Sequence, residues 1–203
     1  MDYITKTIFR KLAAVAVIGM IAVPSGATIL PTLAELEVEK VEEVEDIERT
    51  EERWVLPDGS PNEQAVLDAL QERGIRDKYA LAVIMGNIRQ ESMFLSDICE
   101  GGARVEYQHC YYGGYGLIQW TTANRYRGLG QFASRYGGDP SCIHTQIRYM
   151  FNESQWLHIE ESMKTEGQSV SYYMNKAYYW LGWGVHGART DYSWDYASRL
   201  VFQ

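Results

Sequence analysis

The stretch Gly86-Asn87-Ile88-Arg89-Gln90-Glu91-Ser92 lies near the end of an apolar run from Tyr79 to Met93. Apolar residues recur in this run at steps of three and four, and that spacing predicts a helix. Glu91 follows Ile84 by seven residues and Ile88 by three, so it falls on the apolar face. A carboxyl group held against apolar surface has a raised pKa, and it can then keep a proton near neutral pH and act as a general acid. The alternative is an ordinary carboxylate at a helix end, facing water.

A second stretch, Gly113-Gly114-Tyr115-Gly116-Leu117-Ile118-Gln119-Trp120-Thr121, follows about twenty residues later. In this order, Gly-Asn-Ile-x-x-Glu-Ser and Gly-Tyr-Gly-Leu-Ile-Gln-Trp resemble the phage tail lysozyme family. More distantly they are similar to goose-type lysozymes and lytic transglycosylases, in which Glu-Ser on a helix precedes a Gly-Leu-x-Gln turn. The resemblance covers roughly residues 61–200 and is strongest from Gly86 to Arg125.

The resemblance implies a mainly α, lysozyme-like fold of the α+β kind, in which a small irregular or β segment forms one side of a cleft. It also implies cleavage of the peptidoglycan glycan strand between N-acetylmuramic acid and N-acetylglucosamine, with Glu91 as the catalytic acid and without a cofactor. Two alternatives stay open: a lytic transglycosylase in place of a hydrolase, and a module that binds cell-wall glycan without cleaving it.

Five further residues of the two stretches are expected to bind substrate. Asn87 precedes Glu91 by four residues, so the two side chains are neighbours on the helix surface. Gln119 offers a donor and an acceptor to sugar groups, and an aromatic ring can pack against a sugar face, although core packing is the alternative for the aromatic residues. The expected substrate-binding residues are Asn87, Tyr115, Gly116, Gln119 and Trp120.

A second catalytic carboxylate is expected between the two stretches, where Asp97, Glu100 and Glu106 are available. We favour Glu106, because a possible strand from Arg104 to Gln108 would hold it fixed, whereas Glu100 adjoins two glycines. Carboxyl groups about 6.5 to 9.5 Å apart predict inversion, and about 5 to 5.5 Å predicts retention. If no second carboxylate acts, a transglycosylase-type reaction becomes more attractive.

The three cysteines predict one disulfide, since an exported chain meets oxidising conditions. Cys99 and Cys110 flank the irregular segment and are the favoured pair, with Cys142 free; a bond between Cys110 and Cys142 is the alternative. A zinc site would need Cys110 and Cys142 together with His109 and His144, but the spacing within each pair is tighter than is usual for zinc. No metal site is therefore expected, and none of the cysteines has the sequence context of a peptidase nucleophile.

Residues 1–27 are interpreted as a signal peptide or an N-terminal membrane anchor. Three basic residues precede a twelve-residue apolar stretch from Leu12 to Val23, and Ala27 suits signal-peptidase cleavage. We therefore expect an extracytoplasmic protein, either secreted or anchored to the outer face of the bacterial cytoplasmic membrane. Contact with the membrane would occur through this segment if it is not cleaved.

The rest of the chain is interpreted as an acidic linker, residues 28–59, and a lysozyme-like catalytic domain, residues 60–203. The domain is expected to begin at Ser60, because Ser60-Pro61-Asn62-Glu63 has the capping-box pattern of a helix start. The formal net charge is -8, and the stretch from Ala34 to Arg53 holds ten acidic and three basic residues. A run this acidic is typical of a solvated spacer. The remainder has no basic stripe of the kind that binds nucleic acid, so nucleic acid is not an expected partner. The resemblance implies peptidoglycan as the partner.

Overall fold

The computed structural model describes residues 52–121 and 123–203. The segment interpreted as a signal peptide or anchor, and all but the end of the acidic linker, lie outside the described residues. Within the described ranges, no helix is long and apolar enough to cross a membrane.

Seven helices make up most of the described part of the chain. They are α1 (Pro61–Glu72), α2 (Lys78–Ser92), α3 (Ala123–Tyr136), α4 (Ile143–Met150), α5 (Ser154–Lys164), α6 (Val170–Leu181) and α7 (Arg189–Arg199). Two short strands, β1 (Trp54–Val55) and β2 (Val201–Phe202), pair antiparallel, with Trp54 opposite Phe202. The predicted mainly α fold with a small β component is confirmed.

Local capping signals set the start of the first two helices, as the sequence predicts. The Ser60 hydroxyl accepts a hydrogen bond from the Glu63 amide at 3.3 Å, and the Glu63 carboxylate accepts one from the Ser60 amide at 2.8 Å, which is a complete capping box. The Asp77 carboxylate accepts hydrogen bonds from the amides of Tyr79 and Ala80 at the start of α2. These contacts satisfy amide groups that have no partner within their own helix.

The folded domain begins upstream of Ser60. The Arg53 amide donates to the Gln203 carbonyl oxygen at 2.7 Å, and β1 joins the two ends of the domain through β2. Leu56 is only 2% exposed and belongs to the hydrophobic core. The last residues assigned to the acidic linker are therefore part of the domain, because their backbone and side chains pair with its far end.

Helix α2 runs through the core, and all nine residues from Ala80 to Ile88 are buried. Helix α7 crosses α2 at Gly86, where a Cβ atom would lie 2.5 Å from the Ser193 amide nitrogen. This close approach explains a glycine inside a helix, where it costs about 1 kcal/mol relative to alanine. The contact brings the start of α7 beside the last turns of α2, which carry Glu91.

Candidate active site

Three side chains of the first stretch fix its position. The Gln90 carbonyl oxygen Oε1 accepts a hydrogen bond from the Ala188 amide at 2.8 Å, directly before α7. Arg89 forms an ion pair with Asp195 at 2.7 Å, and the Ser92 hydroxyl donates to the Leu117 carbonyl oxygen at 2.7 Å. The first stretch thus binds both α7 and the second stretch.

The Glu91 carboxylate lies against the guanidinium group of Arg189, which is the first residue of α7. Nη2 of Arg189 donates to Oε1 of Glu91 at 2.6 Å, and the two side chains are 5% and 16% exposed, respectively. The other arm of Arg189 donates to the backbone and side-chain oxygens of Asn87, at 3.2 and 3.3 Å. The guanidinium carbon also lies 4.6 Å from the ring centre of Trp183. These contacts hold Arg189 in one position relative to Glu91.

Two opposing effects act on Glu91. Burial raises the pKa of the Glu91 carboxyl group, because it removes water from the charged form. The positive charges of Arg189 and Arg125, and the hydrogen bond from Arg189, lower that pKa. Burial is the larger effect, so the pKa of Glu91 lies above its ordinary value. Such a carboxyl group holds its proton to a higher pH than an exposed one.

The second stretch is fixed by Gln146 of α4. The Gln146 carbonyl oxygen Oε1 accepts from the Leu117 amide at 2.8 Å, while its Nε2 donates to the carbonyl oxygens of Ser96 and Pro140. Gly116 has φ +69°, and a Cβ atom there would lie 2.5 Å from the Gln146 side chain. Gly116 is therefore required both for its backbone conformation and for the close approach of Gln146.

Three described residues other than glycine have left-handed backbone conformations, and one of them, Gln119, lines the cleft. Met93 and Phe94, directly after α2, have φ angles of 53° and 62°, and Gln119 has a φ angle of 50°. Such conformations are unfavourable for residues with a side chain and tend to cluster at functional sites. In the described part of the chain, these three are the only residues other than glycine with positive φ.

The Glu91 side chain lines a cleft with a volume of about 380 Å³. One wall comes from the second stretch and the start of α3, and the other comes from the end of α6, the connection after it and the start of α7. The residues around the cleft are Glu91, Ile118, Gln119, Thr121, Arg125, Leu181, Gly182, Trp183, Gly184, Val185 and Arg189. A short irregular segment forms one side of this cleft, as the sequence predicts.

The sequence model of the phage tail lysozyme family matches residues 61–195. The chain belongs to the phage tail lysozyme family. No curated protein matches it. Family membership supports a lysozyme-like, lytic activity toward peptidoglycan, and the matched range contains both sequence stretches and the whole cleft.

In this member of the family, Gln119 is the one predicted substrate-binding residue that lines the cleft. Its Nε2 donates to the carbonyl oxygens of Gly116 and Ile98. Its Oε1 accepts no hydrogen bond among the described residues, so it can accept one from a sugar. Gly116 is buried and is not among the residues around the cleft; its carbonyl oxygen accepts a hydrogen bond from the Gln119 amide at 3.1 Å, which shapes the turn.

The other predicted binding residues lie beneath the cleft surface. Asn87 is fully buried and orients Arg189, so the expectation that it lines the cleft is wrong. Tyr115 is fully buried, and its hydroxyl donates to Val105; burial raises its pKa to about 12. Trp120 is also buried, and its Nε1 donates to Glu153 at 2.8 Å. Core packing, the alternative for both aromatic residues, is what the structure shows.

The three candidates for a second carboxylate lie away from the cleft wall. Glu106 is not on a strand, since a short 3₁₀ helix begins at Tyr107; its side chain is 67% exposed and accepts a hydrogen bond from Gln108. Asp97 pairs with Arg104, and the Glu100 carboxylate accepts from the Gly114 amide at 2.8 Å. Among the described residues that line the cleft, Glu91 is the only carboxylate.

Cys99 and Cys110 form a disulfide with a Cα–Cα distance of 5.6 Å, and Cys142 is a free thiol. This is the pairing that the sequence favours. The bond closes the irregular segment that precedes the second stretch. It also removes Cys110 from the set of residues considered for zinc, and the described ranges hold no group of three or more side chains arranged as metal ligands.

Sequence reasoning did not identify Arg189, Trp183 and Arg125 as parts of the site. Arg125 lines the cleft, and its Nε and Nη2 each donate at 2.8 Å to the carboxylate of Glu153, the residue directly before α5. Arg189 is 98 residues away from Glu91 in the chain, and no local motif marks it. The aromatic cluster around Trp180 was the available signal for Trp183, but most such clusters form core.

Proposed function

We propose that this protein cleaves the glycan strand of peptidoglycan between N-acetylmuramic acid and N-acetylglucosamine, with Glu91 as the general acid. The observation that carries the proposal is a carboxyl group with a raised pKa that lines a cleft, within the part of the chain that matches the family. Protonated Glu91 donates to the glycosidic oxygen, and the C1–O bond breaks as positive charge develops on the sugar ring. Gln119 and the opposite wall would orient the sugars.

The experiment compares Glu91→Gln with the wild-type chain on purified peptidoglycan. Glutamine keeps the shape of the side chain and can still accept from Arg189, but it has no acidic proton. We expect the cleavage rate to fall by about 10² to 10⁴, which is the usual contribution of a general acid, while binding to insoluble wall persists. Release of soluble fragments and co-sedimentation with the wall measure the two properties.

Glu161→Gln is the matched control, because the Glu161 side chain is 85% exposed on α5. It removes one carboxylate without changing the cleft, so it should cleave like the wild type. If Glu91→Gln cleaved as fast as this control, Glu91 would not be the acid. If wild type and variant both bound the wall and left it intact, the chain would be a glycan-binding module.

A transglycosylase-type reaction is the second candidate, and the composition of the cleft favours it over hydrolysis by two carboxylates. No second carboxylate lines the cleft among the described residues, so Glu91 would serve in both steps. After donating its proton, it would take one from the sugar's own hydroxyl as that oxygen attacks C1. The product is an anhydro-sugar, one water lighter than the hydrolysis product, and mass spectrometry of the fragments separates the two. Glu106→Gln would keep full activity in this case.

We also propose that the protein acts outside the cytoplasm, where peptidoglycan lies. Two features support export: the charge and apolar pattern of residues 1–27, and the Cys99–Cys110 disulfide, a bond that persists in oxidising compartments. Mass spectrometry of the protein isolated from cells tests this. Cleavage after Ala27 gives a chain that begins at Thr28, whereas an anchored chain keeps its N-terminal segment and sediments with membranes. A full-length chain in the soluble cytoplasm would contradict the proposal.

A further inference from the structure

A second concave surface lies along α3, outside the Glu91 cleft. We call it the α3 groove; its volume is about 1020 Å³, and its lining includes Tyr107, Arg127, Phe132, Arg135, Tyr136 and Tyr149. Tyr107 is held by a hydrogen bond from its hydroxyl to the Tyr126 carbonyl oxygen at 2.8 Å and by stacking on the Tyr126 ring. The Tyr149 hydroxyl donates to the Arg125 carbonyl oxygen at 2.9 Å. The walls of the groove are thus fixed by contacts within the protein.

Two glycines in α3 let the tyrosines approach the helix. A Cβ atom at Gly128 would lie 2.2 Å from the Tyr149 hydroxyl oxygen, and one at Gly130 would lie 2.7 Å from the Tyr107 hydroxyl oxygen. Each glycine costs a helix about 1 kcal/mol relative to alanine. The helix therefore carries two unfavourable residues at the positions where side chains would displace the groove walls.

The groove is basic, although the chain as a whole is acidic. Residues 123–150 contain four arginines and a single acidic residue, Asp139, in a chain of net charge -8. Arg127 and Arg135 line the groove, and none of the described residues around it is acidic. Next to it, the Arg148 guanidinium lies over the Phe132 ring at 5.4 Å and donates to backbone carbonyl oxygens. Among the described residues, these three arginines form no ion pair with a carboxylate.

Helix α3 connects this groove to the cleft. Arg125, Gly128, Phe132 and Arg135 recur at steps of three and four, so they share one face of the helix. Arg125 lines the cleft, whereas the other three line the groove. At 1.5 Å per residue, Arg135 lies about 15 Å along the helix from Arg125. A peptide that leaves the cleft along α3 would have to span this distance to reach the basic groove.

We propose that the α3 groove binds the free carboxylate groups of the peptide attached to muramic acid in the substrate. This inference rests on the proposed function, since it takes the strand in the cleft to be peptidoglycan. An extended peptide of four or five residues spans about 13 to 18 Å, which matches the distance along α3. Its carboxylates supply the negative charge that Arg127 and Arg135 lack as partners within the protein. The tyrosine rings supply apolar surface for its small side chains.

The test measures dissociation constants for two soluble glycan oligomers, one that carries its peptides and the same oligomer after an amidase has removed them. The full chain with Glu91→Gln is used so that neither ligand is cut. We expect it to bind the peptide-bearing oligomer about five to ten times more tightly, since two exposed ion pairs contribute about this much. The preference should shrink as salt is added, because exposed charges are screened.

Arg127→Gln combined with Arg135→Gln should abolish the preference for the peptide-bearing oligomer. Arg76→Gln combined with Lys176→Gln is the matched control, because it removes two positive charges outside both the cleft and the groove. The control should keep the preference. Equal binding of the two oligomers by the parent protein, or loss of the preference in the control pair, would overturn the proposal.

Two further experiments distinguish peptide binding from phosphate binding, and the groove proposal from the proposed function. In the first experiment, a soluble wall polymer rich in phosphate and the free peptide each compete with the peptide-bearing oligomer. If the polymer competed as strongly as the peptide, the groove would bind phosphate, and the proposal would be overturned. Cleavage of the peptide-free glycan by the chain with Glu91 intact tests the proposed function independently of the groove. A chain that cleaves this glycan and shows no peptide preference would retain its proposed function and lose only the peptide site.

Discussion

At the scale of single residues, the Glu91–Arg189 pair determines the acid–base chemistry available in the cleft. Burial raises the pKa of the Glu91 carboxyl group, while the 2.6 Å contact with Arg189 lowers it. The same guanidinium group is fixed by Asn87 and Trp183, so it cannot move away without breaking those contacts. Arg189 is a positioning residue: it determines where the carboxyl group lies and the pH at which it loses its proton.

Replacing Arg189 should therefore move the pH dependence of cleavage. A general acid works while protonated, so kcat/KM falls as the pH rises through the pKa of Glu91. Arg189→Gln removes a positive charge that stabilises the ionised form. The pKa of Glu91 then rises, and we expect the alkaline limb of the pH–kcat/KM profile to move to higher pH.

Arg189→Lys is the comparison variant, because it keeps the charge while losing the second donor arm. The alkaline limb of the pH–kcat/KM profile should shift less in Arg189→Lys than in Arg189→Gln. The kcat/KM of Arg189→Lys at its optimum pH should still fall, because lysine positions Glu91 less well. An alkaline limb that moves to lower pH in Arg189→Gln would contradict the role assigned to this residue.

At this scale the sequence predicts residues whose surroundings are local. Glu91 could be identified from its place in a motif on one helix, and the disulfide joins residues only 11 apart. Tyr115 and Trp120 could not be placed, because an aromatic residue next to a turn packs equally well against a sugar or a core. Arg189 could not be found, since its contact with Glu91 depends on how α7 crosses α2.

The crossing of α2 and α7 positions the site at the scale of secondary-structure elements. Gly86 lets Ser193 approach, Gln90 accepts from the backbone before α7, and Arg89 pairs with Asp195. These contacts lie along the same turns of α2 that lead to Glu91. The sequence predicts the helical periodicity of α2 and its cap. It does not predict that α7 packs against the side of α2 that carries Gly86.

Gly86→Ala should destabilise the domain even though alanine is the better helix former. The new methyl group meets the Ser193 backbone, and overpacking of this kind costs about 1 to 3 kcal/mol. The gain in helix propensity is about 1 kcal/mol. We expect a net loss of up to roughly 2 kcal/mol in the free energy of unfolding, together with reduced activity.

Denaturant unfolding measures the change, and Gly184→Ala is its control for stability. A Cβ atom at Gly184 meets nothing within 4 Å, and its φ angle lies outside the left-handed range. This variant should unfold like the wild type. Equal or greater stability of Gly86→Ala would mean that α7 can shift at little cost, and the account of this glycine would be wrong.

At the scale of the whole molecule, the pairing of β1 with β2 connects the beginning and the end of the folded part of the chain. The pairing joins residues near its two ends, Arg53 with Gln203 and Trp54 with Phe202. The capping box at Ser60 gave a clear local start for the domain. It led to a boundary a few residues too late, because a two-residue strand has no periodicity from which it can be recognised.

Deleting residues 201–203 should lower the midpoint of thermal unfolding. The deletion removes β2, the two backbone hydrogen bonds between Gln203 and Arg53, and the contact of Phe202 with Trp54, whose ring centres lie 5.1 Å apart. With net contributions of about 0.5 to 1.5 kcal/mol per hydrogen bond, we expect a loss of roughly 1 to 3 kcal/mol. Phe202→Ala keeps the strand and loses only the ring contact, so its effect should be smaller. An unchanged midpoint after the deletion would show that β2 does not stabilise the domain.

The burial of α2 has a consequence for how the cleft opens. Backbone amides from Ala80 to Ile88 are shielded on every side, so their hydrogen exchange requires unfolding of the entire domain. The opposite wall, from Gly182 to Val185, is largely exposed and contains two glycines, and such segments open locally at low free energy. If Glu91 acts as proposed, a long polymer would enter sideways through openings of that wall, while the proton donor stays on the helix that opens last.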